Sequence, residues 1–272
     1  MKLIGGAGFP AGREVAVAAA ARALRQAAAM PKPCPPVRAM FDSDAGVEVG
    51  YEVQERNTAI DVAAGRRISG RKIGLTSKAV QDQLGVGEPD FGTPFVDMEH
   101  CDGADLDFSG FLQPRVEAEV AVVVDRDLDS APHGFAEIVR AVAFAVPAIE
   151  VADSRIERWD ITLLDTVADN ASGGAYVLGG RPVPLRDVDL RQVAMSMSMD
   201  GTVVSSGAGS DCLGHPLNAA RWLADTLCAR GVPLRAGDVI MTGALGPMLP
   251  ARLGSELVAT ISGLGSVSTR FC

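Results

Sequence analysis

Long uncharged apolar segments are missing from this 272-residue sequence, and so is a stripe of basic residues. No apolar run reaches about 18 residues without a charge, so we expect no membrane-spanning helix. The Ala-rich segment near the N-terminus is typical of neither a signal peptide nor a spanning helix, because arginines and a glutamate interrupt it. The formal net charge is −9 at pH 7, which disfavours a nucleic-acid partner.

Cysteines and aromatic residues are also scarce. The sequence has five cysteines, an odd number, and no two of them have CxxC spacing. We therefore predict neither a disulfide framework nor a zinc ribbon. We interpret them as reduced thiols of a cytoplasmic protein. Aromatics make up 5% of the residues and hydrophobic residues 47%, so the core must be built mainly from Ala, Val and Leu.

The glycine-rich start imitates a dinucleotide-binding motif without completing it. Gly6, Gly8 and Gly12 are one residue off the usual spacing, and a Pro-rich segment at 31–36 follows where a second strand is needed. A nucleotide site is therefore disfavoured. We expect a leader and then a helix over about 12–30.

The first 65 residues are predicted to be mostly helical. A second helix is expected over 45–64, capped by Asp42, Ser43 or Asp44 and ended by Gly65. From residue 66 onward, short apolar runs between Gly and Pro indicate strands. The sequence therefore predicts an α+β fold with a helical N-terminal portion, 1–65, and a sheet-rich domain, 66–272.

Turn and cap signals place the shorter elements of the sheet-rich domain. Asp200 and Gly201 are typical of a hairpin turn. Residues 165–174 look too polar for the core, so we expect a loop there. The other predicted elements are helices over 79–84, 132–144, 154–160 and 216–229 and strands over 69–75, 145–152, 193–199, 202–204, 237–243, 255–261 and 266–271.

The most informative stretch is a Val- and Ala-rich strand that contains two acids. Glu117 and Glu119 are two residues apart, so on a strand both side chains lie on one face. Glu150 lies in a second apolar run after a helical segment and could join them. Three carboxylates can hold a hard cation, Mg²⁺ or Mn²⁺, and Ca²⁺ is less favoured. The alternative is a wet strand face with solvated acids.

Lys72 and Asp90 can each be interpreted as a site residue or as a residue with no role in a site. Lys72 alternates with Ile73 on a predicted strand and could direct its charge at an anionic site, or it could be a solvated edge-strand lysine. Asp90 lies in a rigid loop with two prolines and several glycines, where it is either a site acid or a turn residue.

Five motifs, in this order, resemble the 2-keto-4-pentenoate hydratases (2-hydroxypenta-2,4-dienoate hydratases) of the fumarylacetoacetate hydrolase superfamily. They are 70–76 (GRKIGLT), 89–92 (PDFG), 113–119 (QPRVEAE), 165–172 (DTVADNAS) and 242–247 (TGALGP). The resemblance runs from about residue 45 to the C-terminus.

The resemblance implies a rolled mixed β-sheet and a specific set of site residues. It implies Mg²⁺ or Mn²⁺ held by Glu117, Glu119 and Glu150. It also implies catalytic roles for Lys72, Asp90 and Ser172, and a substrate pocket lined by Leu75, Gly243, Ala244 and Leu245. Members of the family are homo-oligomers, often rings of five, so we expect a pentamer or decamer that could associate with a pathway decarboxylase.

The implied reaction adds water to 2-hydroxypenta-2,4-dienoate or a close homologue, in meta-cleavage catabolism of aromatic or related ring compounds. The nearest alternative is 4-oxalocrotonate decarboxylase; the resemblance implies that decarboxylases lack the Asp of the PDFG motif, so Asp90 favours hydration. A C–C bond hydrolase is disfavoured because no histidine precedes His100. A non-catalytic metal-binding partner subunit is the alternative from a different class.

Overall fold

The computed structural model describes residues 11–77, 81 and 87–272. The described helices are α1 (Ala11–Ala29), α2 (Val47–Ala63), α3 (Phe135–Ala141), α4 (Leu163–Ala168) and α5 (Pro216–Ala229). The described strands are β1 (Gly70–Gly74), β2 (Asp90–Gly92), β3 (Glu99–Cys101), β4 (Ala104–Leu106), β5 (Arg115–Val124), β6 (Val142–Ala152), β7 (Gly173–Leu178), β8 (Ala194–Met199), β9 (Thr202–Ala208), β10 (Val239–Ala244), β11 (Leu249–Pro250), β12 (Glu256–Ile261) and β13 (Gly265–Phe271).

Two sheets form the centre of the molecule. Within the described residues, eight strands build the larger sheet in the order β2-β1-β10-β5-β6-β7-β3, with β11 also pairing with β5. The smaller sheet has the order β4-β13-β12-β8-β9. Parallel pairs such as β1–β10 occur beside antiparallel pairs such as β5–β6. The predicted α+β fold with a mixed sheet is confirmed.

Alternation along β5 separates a core face from a site face. Val116, Val120 and Val122 are buried in the main apolar core, which also contains Met197 and Phe271 of the smaller sheet. The intervening residues of β5 project from the opposite face, because successive side chains of a strand alternate. This second face carries the two acids, so core packing fixes where the acids point.

The predicted helix over 216–229 coincides with α5. Leu217, Leu223 and Leu227 are buried on one side of it, as its amphipathic pattern requires. Gly231 follows with φ 72°, the left-handed conformation that favours glycine after a helix. Asp200 and Gly201 connect β8 to β9, so the predicted hairpin is also confirmed.

The N-terminal helices pack together and against the sheet-rich part of the chain. The predicted cap of α2 was wrong: Gly46 is the N-cap, and it makes no side-chain capping hydrogen bond. Gly65 ends the helix with φ 96°, as predicted. The Tyr51 ring stacks on Phe91 with 4.6 Å between centroids. The division into portions 1–65 and 66–272 stays a prediction.

Three other predictions concern the segments around the site. The helix predicted over 132–144 is shorter, because β6 already begins at Val142. In the segment 154–160 the structure has only a 3₁₀ turn, Glu157–Trp159. The helix predicted over 79–84 lies outside the described residues apart from Gln81.

The prediction of a polar loop over 165–174 was wrong. The segment forms the end of α4, a 3₁₀ turn (Asn170–Ser172) and the start of β7. Asp165 and Asp169 are buried at 0% and 2% exposure. Burial is possible because each carboxylate has an arginine partner, Arg38 for Asp165 and Arg155 for Asp169. A count of polar residues cannot reveal such pairing.

No helix within the described ranges combines the length and the hydropathy needed to cross a bilayer.

Candidate functional site

The structure brings the three predicted acids together. Glu117 of β5 lies directly opposite Glu150 of β6 in an antiparallel pair. Glu119 follows on the same face of β5. One carboxylate oxygen from each residue can be chosen so that all three lie within 4.8 Å of one another. This register places Glu117 and Glu150 side by side on one face of the sheet.

These carboxylates have too few partners for their burial. Glu119 is 0% exposed and Glu150 3%. Glu119 Oε2 accepts a hydrogen bond of 2.9 Å from the Gly243 amide. Glu119 Oε1 and Glu150 Oε2, however, find no hydrogen-bond partner among the described residues. The solvated-acid alternative is therefore wrong for these two side chains.

The pKa values of the acids also differ from those of solvated carboxylates. Burial, and then the nearby carboxylate of Glu150, raise the pKa of both Glu117 and Glu119. Buried like charges at this spacing favour protonation unless a cation neutralises them. An all-oxygen donor set suits a hard divalent cation. The residues present therefore fit the metal that the sequence predicts.

Lys72 extends from β1 into the same cluster. Its Nζ lies 2.6 Å from Glu150 Oε1 and donates a hydrogen bond of 2.7 Å to the Ala171 carbonyl. Burial opposes its charge, but the carboxylates of Glu150 and Asp90 outweigh that effect and raise the pKa of Lys72. The edge-lysine alternative is wrong, because β2 covers β1 on its outer side and Lys72 is only 7% exposed.

Asp90 opens β2 rather than a turn. It pairs with Gly74 of β1, and a Cβ at position 74 would collide with the Asp90 carboxylate. Gly74 therefore makes the space that this acid occupies. Burial raises the pKa of Asp90 to about 6. Its Oδ1 is buried and has no hydrogen-bond partner in the described part of the chain.

Ser172 belongs to a turn with an unusual backbone. Asn170, Ala171 and Ser172 have φ values of 55°, 49° and 53°, and left-handed residues other than Gly cost about 1–3 kcal/mol each. The Asn170 side chain accepts a hydrogen bond from Thr93 N at 2.7 Å and donates one to Thr93 O at 2.9 Å. The buried Ser172 Oγ lacks a hydrogen-bond partner within the residues described.

The four predicted substrate-binding residues have different positions. Gly243 binds Glu119 through its amide, and Ala244 lies opposite Glu119 in the β10–β5 register. Leu75 follows β1 with φ 57°. Leu245, by contrast, is 0% exposed and packs in the main apolar core. Only its backbone could line a pocket.

Sequence reasoning missed two groups near the site. Arg155 pairs with the buried Asp169 just before the Ser172 turn. Gln54 of α2 donates hydrogen bonds to the carbonyls of Phe91 (3.0 Å) and Val167 (2.9 Å). Neither residue lies in a recognisable motif. Only the buried polar groups of the 165–172 segment, which require partners, could have suggested them.

Several known proteins are similar to this chain over most of its length. Residues 100–272 match the family model described as fumarylacetoacetate (FAA) hydrolase C-terminal. The chain is 52% identical over 256 residues to 2-keto-4-pentenoate hydratase 1 of Dechloromonas aromatica, covering 93% of this chain and 96% of the relative. It is 50% identical over 257 residues to 2-keto-4-pentenoate hydratase of Burkholderia vietnamiensis, covering 94% and 97%.

Among solved structures, 4-oxalocrotonate decarboxylase from Pseudomonas putida G7, complexed with magnesium and adipate, superimposes with a TM-score of 0.92. Sequence identity is 34%, and the match covers 98% of this chain and 100% of that one. The greater identity, about one half over nearly the whole chain, is to the hydratases. The chain therefore belongs to the 2-keto-4-pentenoate hydratase family of the fumarylacetoacetate hydrolase superfamily.

Proposed function

We propose that this protein is a metal-dependent hydratase that adds water to 2-hydroxypenta-2,4-dienoate or a close homologue. The product is a 4-hydroxy-2-oxoacid, and the reaction belongs to meta-cleavage catabolism of aromatic or related ring compounds. The observation that carries the proposal is the meeting of Lys72 with the carboxylate cluster, where Nζ lies 2.6 Å from Glu150 Oε1. The hydratase relatives support the reaction type.

Glu117, Glu119 and Glu150 would hold Mg²⁺ or Mn²⁺. When bound, the ion supplies Lewis-acid stabilisation for the carboxylate and 2-oxygen of the substrate. The Gly243 amide fixes the Glu119 carboxylate, so this ligand is oriented before the ion arrives.

Three residues of the chain have different roles in this reaction. Conversion of the dienol to the 2-oxo-3-enoate needs a proton at C5, and the following hydration places hydroxide on C4 and a proton on C3. Asp90, with its pKa raised to about 6 by burial, suits proton transfer near neutral pH. Lys72 stays cationic and attracts the negative charge that develops on the substrate. The Ser172 hydroxyl, which has no hydrogen-bond partner among the residues described, can orient the water.

The decisive experiment follows the loss of dienoate absorbance. Turnover of 2-hydroxypenta-2,4-dienoate, abolished by chelator and restored by Mg²⁺ or Mn²⁺, is the expected result. Longer homologues determine the chain-length preference, because one methylene changes discrimination by only about 1–3 kcal/mol. Release of CO₂ from 4-oxalocrotonate without hydration of the dienoate would instead assign a decarboxylase. Metal binding with neither activity would assign a non-catalytic partner subunit.

Assembly and location are part of the same proposal. We assign a homo-oligomer built from rings of five, a pentamer or decamer, which could associate with a pathway decarboxylase. Light scattering and co-purification test these two statements. A cytoplasmic location is supported by the five cysteines, all of which are free thiols in the structure.

A further inference from the structure

The turn Asn170–Ser172 is strained and yet carries two groups of the proposed site. Its three consecutive left-handed residues place the Ala171 carbonyl 2.7 Å from Lys72 Nζ and bury the Ser172 hydroxyl. Such conformations persist only where the surroundings enforce them. The contacts that enforce this one are therefore part of how the site is built.

Arg155 connects the two ends of the turn. Its guanidinium contacts the carboxylate and the carbonyl of Asp169, the residue before the turn, and donates a 2.7 Å hydrogen bond to the carbonyl of Gly173, the residue after it. The Asp169 carboxylate also accepts hydrogen bonds from Arg155 N (2.9 Å) and Ser154 Oγ (3.1 Å). The planar guanidinium of Arg155 thus fixes the distance between the two ends of the turn.

The outer side of the turn borders a cavity. This cavity, about 470 Å³, lies between α1, α2 and the segment 110–112, and its lining includes Arg155, Asp169, Asn170 and Gly173. Asn170 and Gly173 also line the small pocket that contains Lys72 and Glu150. Asn170 and Gly173 thus border open space on one side and the Lys72 pocket on the other, and Arg155 lies on the cavity side of the turn.

We propose that Arg155 and Asp169 form a positioning pair that sets the placement of Lys72 and Ser172 through this turn. The inference rests on the proposed hydratase function and deepens it. A lysine at position 155 keeps the charge but cannot reach the carboxylate and both carbonyls at once, because an ammonium lacks the planar fork of donors.

The test compares Arg155→Ala and Arg155→Lys with a matched control, Arg38→Ala. Arg38 makes an equivalent contact with a buried aspartate, 2.7 Å to Asp165 Oδ2, but no contact with the turn. We expect kcat to fall by about 10²-fold in both Arg155 variants. A misplacement of about 1 Å at the reacting groups costs a factor of this size. Mg²⁺ affinity should stay near that of wild type, because the three glutamates lie on β5 and β6. Arg38→Ala should keep its kcat.

Chemical rescue separates positioning from a general loss of packing. Arg155 lines the 470 Å³ cavity, so guanidinium in the tens of millimolar range should restore part of the kcat of Arg155→Ala, whereas methylammonium should not. Unchanged kcat in both Arg155 variants, an equal loss in Arg38→Ala, or equal rescue by both cations would overturn the proposal.

Hydrogen exchange supplies a readout independent of the reaction. Amides over 170–174 should exchange faster in Arg155→Lys than in wild type, with no change in Arg38→Ala. If wild type fails to hydrate any dienoate, the proposed function is wrong while this exchange difference still supports the positioning pair. Equal exchange in all three proteins overturns the pair and leaves the hydratase assignment intact.

Discussion

Glu117 and Glu150 face each other across the antiparallel pair β5–β6, with a carboxylate of Glu119 close to both. Directly opposed like charges destabilise a sheet. Here the pair lies in the middle of the larger sheet, where core packing on the other face of both strands prevents the acids from separating. The fold thus maintains a repulsive pair whose repulsion a bound cation would reduce.

The stability of the metal-free protein should fall as the pH rises. Burial, and then repulsion by the Glu150 carboxylate, raise the folded-state pKa of Glu117 and Glu119 above the unfolded value, about 4.3. Between those values the folded chain binds more protons than the unfolded chain, so the free energy of unfolding decreases with pH across that window. Calorimetry with chelator should give a higher Tm at about pH 6 than at about pH 8, and Mg²⁺ should raise Tm more at the higher pH.

The variant Glu119→Gln tests whether the buried acids cause this pH dependence of Tm. Removing one buried charge should raise the metal-free Tm at the higher pH and abolish the increase caused by Mg²⁺. Glu256→Gln, at an exposed position of β12, should behave as wild type. A metal-free Tm that is the same at both pH values would contradict the assignment of the cluster.

Replacing Lys72 by Met should separate metal binding from turnover. The Lys72 ammonium is 2.6 Å from Glu150 Oε1 and competes with a cation for that oxygen, so Mg²⁺ should bind at least as tightly to the variant by titration calorimetry. We expect kcat to fall by about 10²–10³-fold, because the charge that stabilises the developing anion is lost. The exposed Lys32 provides the matched substitution, Lys32→Met, which should alter neither quantity. Full activity in Lys72→Met would refute the role of this lysine.

Asp90→Asn should change the pH profile as well as the rate. With the pKa of Asp90 raised to about 6 by burial, its ionised form, the proton acceptor, is lost as pH falls through that value. Wild-type kcat/KM should therefore decrease on the acid side, whereas the small residual activity of Asp90→Asn should lack that decrease. Metal affinity should be retained. An identical acid limb in both proteins would exclude Asp90 as the titrating group.

Gly243→Ala should damage the site more than an equally strained glycine substitution elsewhere. Gly243 has φ +110°, and a Cβ there would collide with the Thr76 side chain. Gly237 has φ +95° with nothing within 4 Å of the added Cβ. Gly237→Ala should cost about 1–2 kcal/mol of stability and leave Mg²⁺ affinity unchanged. Gly243→Ala should cost more and weaken Mg²⁺ binding, because its amide holds Glu119. Equal effects of the two substitutions would argue against this role.

The sequence alone determined several of the elements and the identity of the acids. Alternation along β5, the helix over 216–229 and the glycine after α2 depend on residues close together in the chain, and these predictions agree with the structure. The roles predicted for the site residues stay predictions; the structure shows that Lys72 and the three glutamates lie in one cluster.

Only the tertiary structure decided the register, the burial and the partners. Nothing local to Glu117 specifies that Glu150 faces it, because that pairing depends on how β5 and β6 slide past each other. Asp165 and Asp169 looked like loop residues until Arg38 and Arg155, 127 and 14 positions away in sequence, neutralised them. Leu245 is predicted to line the pocket through its backbone, and only the folded structure shows that its side chain fills the core. Burial of a charged group is set by partners from other segments, so it follows from the folded chain and not from the residue's own neighbours.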